Sequence, residues 1–166
     1  MTDVSQTGGQ LLDQAAEVLH NTRALIDKAL STLKANTVED GRLSNARLDE
    51  YQLVSYELSL CWAECCAAGF MLDHASSCQD DFTSRLCALF CAEAVTASCG
   101  RLRARLADFE LEDADIAAAL NSGSAASFLA SQLSAANIAA IGQEVLERGA
   151  NLGPDALEVD PPFGDE

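Results

Sequence analysis

Residues 51–75 read YQLVSYELSLCWAECCAAGFMLDHA, and their spacing decides the fold. Tyr51, Val54, Leu58, Cys61, Cys65, Ala68, Leu72 and Ala75 recur in steps of three and four, the period of one helix face. Ser44 or Asn45 is suited to cap this helix, which then runs to about Ala75. Ser76-Ser77-Cys78-Gln79-Asp80 reads as a turn, and Asp80 or Asp81 opens a third helix that extends to about Asp108. Its stripe is Cys87, Cys91, Val95, Cys99, Leu102, Leu106 and Phe109. So short a connection predicts an antiparallel hairpin of Ser44–Ala75 on Asp81–Asp108. Its core is expected to hold Tyr51, Val54, Leu58, Cys61, Cys65, Leu72, Cys87, Cys91, Val95 and Leu102.

Upstream, Leu12, Ala15, Leu19, Ile26, Ala29 and Leu33 give a first amphipathic helix over Gln10–Ala35, packed on the hairpin. Asn36–Arg42 reads as a loop. Downstream, short helices are expected over Asp113–Leu120 and Ser124–Leu133. A last one, capped by Ser134, ends at Arg148 before Gly149. The organisation is thus an N-terminal tail (1–9), a helical domain (10–149) and an acidic tail (150–166). That last segment holds all three prolines, five acids and no base, a composition that predicts disorder. The fold class is all-α: an up-down helical bundle on a long antiparallel hairpin, with short C-terminal helices. Hydrophobic residues make up 49% of the 166 but aromatics only 5%, so alanine and leucine, good helix formers, carry the core.

The net charge of −16 repels phosphate backbones and anionic membrane surfaces, so neither nucleic acid nor membrane is an expected partner. The most apolar stretch, Leu58–Leu72, is interrupted by Glu64 and is too short to span a bilayer. The N-terminus lacks the pattern of a signal peptide. Seven cysteines, an odd number, fit reduced thiols in a cytoplasm.

Cys61 and Cys65 are spaced i,i+4, as are Cys87 and Cys91, with Cys99 two turns further on. Facing thiolates select copper(I) or zinc, so a metal-binding bundle is the alternative reading. Against it, these cysteines sit on stripes otherwise filled by Val, Ala and Leu, where a thiol acts as a small hydrophobe. There is no CxxC pair, and His20 and His74 are not at ligand spacing from them. The first expectation is therefore core packing, with no metal and no cofactor. Glu57 and Glu64 share a face, but no Glu-x-x-His accompanies them, as a di-iron bundle would need. Asp73-His74 has no nucleophile tied to it by spacing, and no phosphate-binding glycine loop occurs. Arg101, Arg103 and Arg105 form the basic cluster, expected to serve the helix C-terminus and to pair with Glu110, Glu112 or Asp113. Together with Trp62 and Phe70 they are candidate partner contacts.

The run Arg47–Leu58, then Trp62-Ala63-Glu64 and Leu72-Asp73-His74-Ala75, resembles the helical extension of a subgroup of acyl-CoA dehydrogenases, the methylsuccinyl-CoA dehydrogenase type. Phe128–Leu133, Ile138–Gly142 and Asn151-Leu152-Gly153 fit the end of such an extension, and the likeness spans about Leu12 to Leu157. In that family the extension precedes a flavin-binding core, whose β-rich domain and glutamate base have no counterpart here. The resemblance therefore carries over no catalytic or flavin-binding residue. It implies a non-catalytic accessory module that self-associates, as a homodimer, or docks on an acyl-CoA dehydrogenase-like partner.

Overall fold

The computed structural model describes residues 7–78 and 80–149, so residues 1–6, Gln79 and the acidic segment 150–166 lie outside it. Helix α1 (Gly8–Thr37) begins two residues before the expected Gln10. The reason is a reciprocal cap: Thr7 Oγ1 accepts from the Gln10 amide, and Gln10 Oε1 accepts from the Thr7 amide. Two glycines are tolerated in the first turn because the cap fixes it. The helix also outruns its expected end and stops at a small antiparallel hairpin, β1 (Val38–Glu39) with β2 (Arg42–Leu43). Asp40 and Gly41 form its turn at φ 51° and 75°, values that suit a residue pair of this kind. The expected loop at Asn36–Arg42 is thus partly helix and partly hairpin.

Ser44 caps the next helix as expected, accepting from the Arg47 amide. The single helix expected from Ser44 to Ala75 is instead two: α2 (Asn45–Glu50) and, after a break at Tyr51, α3 (Gln52–Cys78). Asp80 then caps α4 (Asp81–Arg103); its Oδ2 accepts from both the Thr83 amide and the Thr83 hydroxyl. Those bonds hold the Asp80 carboxyl below its ordinary pKa. The third long helix ends at Arg103 rather than Asp108, and a single turn, α5 (Leu106–Phe109), follows. Next come α6 (Asp113–Asn121), α7 (Ala125–Gln132) and α8 (Ala135–Arg148). Ser134 caps α8, and Gly149 follows it at φ 58°, the left-handed stop the sequence places there.

The long helices run up, down and up. Leu12 lies beside Ser76, Arg23 reaches Cys65, and Leu33 flanks Ser55, so α1 is antiparallel to α3. Cys91 meets the Ala68 carbonyl while Cys61 meets that of Ser98, so α3 is antiparallel to α4. The core lies between the three. Ala15, Leu19, Ile26 and Ala29 of α1 close it over Leu58, Cys61 and Cys65 of α3 and Cys87, Cys91, Val95 and Leu102 of α4. Tyr51 and Leu72, expected inside, are half-buried at its margin: Tyr51 falls at the helix break, and Leu72 lines the seam with α1. Phe109, Ile116 and Phe128 from the short helices are buried in the same core, with α6 and α7 lying along the side of α1 through Lys28–Asp115 and Asn21–Ser122. Helix α8 packs apart from this core, through Ile141 on Phe82 and Leu89.

Candidate functional site

Five of the seven thiols lie on the facing stripes of α3 and α4. Cys61, Cys65, Cys87, Cys91 and Cys99 are all buried, and none of the seven cysteines forms a disulfide. Three of the buried sulfurs meet the backbone or a small hydroxyl. Cys61 Sγ donates to the Ser98 carbonyl at 3.8 Å, Cys65 Sγ lies 3.8 Å from Ser98 Oγ, and Cys91 Sγ donates to the Ala68 carbonyl at 3.9 Å. Burial raises the pKa of Cys61 and Cys65 and pushes Cys99 to about 11. Cys91 is held protonated by its bond with Cys87 and then by burial. These four are neutral thiols, poor nucleophiles and poor ligands at neutral pH. Among the described residues, no three His, Cys, Asp or Glu side chains converge in a way that could hold a metal ion.

The arginine cluster divides. Arg103 pairs with Asp113 at 2.6 Å, one of the partners the sequence suggests, and Arg105 approaches Asp108 at 4.0 Å. Arg101 departs from expectation and crosses the hairpin, binding Glu64 at 2.7 Å with Glu57 at 3.7 Å. The Glu64 bond raises the Arg101 pKa. Glu57 and Glu64, which share a face of α3, are thus one edge of an inter-helix clamp. Nor is His74 without a thiol neighbour: Cys78 Sγ lies 3.3 Å from its Nε2. That pair has i,i+4 spacing, a signal present in the sequence and passed over. Neither residue lines the grooves beside α3.

The outer side of α3 is where the surface departs from an ordinary solvated helix. Phe70 is 75% exposed, and Leu53 and Tyr56 are exposed on the same side, while Trp62, 47% exposed, stands further round the helix toward α1. Two grooves flank this side where α1 meets α3. One, of about 270 Å³, is lined by Ile26, Leu30, Leu33, Leu58 and Trp62, with Ser55 and Ser59 at its wall. Ser55 Oγ is buried and has no hydrogen-bond partner. The other, of about 350 Å³, lies between Leu12, Asp13, Arg23, Cys66 and Phe70. Arg23 lies across α3 there and donates to the Cys65 carbonyl at 2.8 Å. Only glycine leaves room for it: a Cβ on Gly69 would stand 2.2 Å from Arg23 Nη2. Asp13, Cys66, Asp73 and Ser76 bring polar groups to this second groove, whereas the first is walled by apolar side chains and two serines.

Among the described residues no single helix is long and apolar enough to cross a membrane; the bent pair α7–α8 meets that test by length and composition alone. Compared with known proteins, the chain matches no protein-family model and no curated sequence.

Proposed function

We propose that this chain is a non-catalytic helical interaction module, self-associating or docked on an acyl-CoA dehydrogenase-like partner in a reducing cytoplasm. The observation that carries it is the exposure of Leu53, Tyr56 and Phe70 along one side of α3, with Trp62 exposed further round the helix toward α1. The core is already closed on the other side, so the fold leaves the exposed part of these apolar side chains uncovered. The likeness of Arg47–Leu58 and its neighbours to the extension of that dehydrogenase family supports the choice of partner.

The test is capture on the immobilised full-length chain from its native cell, read by the absorbance and mass of what is retained. The expected result is a flavoprotein of acyl-CoA dehydrogenase type, eluting with its yellow colour, while the module alone is colourless. Docking to a basic surface weakens as salt rises, given a net charge of −16. Retention of no flavoprotein removes the dehydrogenase partner.

A further inference from the structure

Leu53, Tyr56, Leu60, Ala63, Ala67, Phe70 and His74 follow one another in steps of three, four, three, four, three and four. This is the spacing of a coiled-coil seam, sustained over three heptads on α3. It lies opposite the core stripe of Leu58, Cys65 and Leu72, which occupies the outermost position of the same heptad. Six of the seven are exposed and Leu60 is half-buried. The seam contains no Asp, Glu, Lys or Arg. Glu57 and Glu64 flank it along one edge, where Arg101 holds them, and Asp73 flanks it near its C-terminal end on the other edge.

We infer that this seam pairs antiparallel with the same seam of a second copy, about a two-fold axis between Cys61 and Trp62. The inference rests on the interaction-module reading and names the face and its occupant. Size complementarity selects the occupant. In the antiparallel register Leu60 faces Ala63 of the other copy, Tyr56 faces Ala67, and Leu53 faces Phe70. Two of the three kinds of layer then set a large side chain on an alanine, the interdigitation that close helix packing needs. A parallel pairing would set Ala63 on Ala63 and Ala67 on Ala67 and leave the centre empty. The contact is isologous and closes on itself, so it stops at two copies. The seam offers on the order of 600 Å² per copy, so about 1,200 Å² in all, the lower edge of stable interfaces. An interface of that size is expected to give a weak, concentration-dependent dimer. Each copy carries −16, so added salt strengthens this pairing by screening repulsion, the reverse of docking on a basic partner.

The test is sedimentation equilibrium of the purified full-length chain over a range of protein and salt concentrations. A monomer–dimer equilibrium that tightens with salt is expected. Phe70→Glu, at a position 75% exposed, should leave the helical spectrum and melting temperature unchanged and weaken dimerisation roughly 100-fold. Adding Leu53→Lys should restore most of the loss, because the new ammonium of one copy then faces the new carboxylate of the other. These positions are 17 residues apart on one rigid helix and do not meet within a chain. A wild-type chain that is monomeric throughout overturns the inference. So does a dimer indifferent to Phe70→Glu, or a double variant weaker than the single one, which would mark a parallel pairing. All three results leave the capture of a flavoprotein to decide the broader reading by itself.

Discussion

Cys99 sits against Thr22 in the interior, and its thiol titrates near 11 instead of the usual 9.0 because ionising it there strips it of water. The unfolded chain gives up this proton first, so the native state binds more protons between those two values, and stability falls there as pH rises. The contribution is whole below pH 9 and gone above about 11. A displacement of that size corresponds to about 2 to 3 kcal/mol. Urea midpoints of the wild type and of Cys99→Ala, measured from pH 8 to 11, should therefore draw together, the wild type losing more stability by about that amount. Parallel curves would show that the thiol titrates as freely as in the unfolded chain. The packing role of this residue was legible in the sequence, because a cysteine on a Val, Ala and Leu stripe has one economical reading. The partner of Arg101 was not. It depends on how α3 and α4 align across the hairpin, and neither helix records that alignment locally.

Gly69 and Arg23 show how α1 and α3 are keyed together. A glycine in a helix interior costs roughly 1 kcal/mol relative to alanine. Here the cost makes room for the guanidinium that bonds the Cys65 carbonyl. Gly69→Ala should therefore be close to neutral, with its propensity gain offset by the displaced arginine. In an Arg23→Ala background the same change should stabilise by about 1 kcal/mol. A double-mutant cycle on chemical denaturation midpoints reads this directly, and equal effects in both backgrounds would refute the coupling. The number and order of long helices were legible because their stripes hold period over five turns or more. Their ends were less so. Thr7 extended α1 through a cap formed before the stripe begins, while Tyr51 and Ala104 interrupt helices whose apolar period continues past them.

At the scale of the molecule, α8 is bound differently from the rest. It contributes one buried side chain, Ile141, to a small cluster with Phe82 and Leu89. Polar ties supply much of the remaining attachment. Arg85 pairs with Glu144, and Arg148 spans Glu144 at 2.9 Å and Asp80 at 3.8 Å while stacking 4.3 Å above the Phe82 ring. Such ties are partly exposed and screened by salt. Native-state amide exchange should accordingly find α8 opening before α1, α3 and α4, sooner still in Arg85→Ala or at high salt. Equal protection across all four helices would show that α8 belongs to the main cooperative unit. The five interior sulfurs have a different consequence for the main unit. While the helices are closed no oxidant reaches them, yet one complete unfolding presents all of them to oxygen and to one another. Any bridge then made joins residues that must be separate to pack. Refolding is therefore a race against oxidation, and a sample once melted in air keeps a memory of the event that a sample melted under reductant does not.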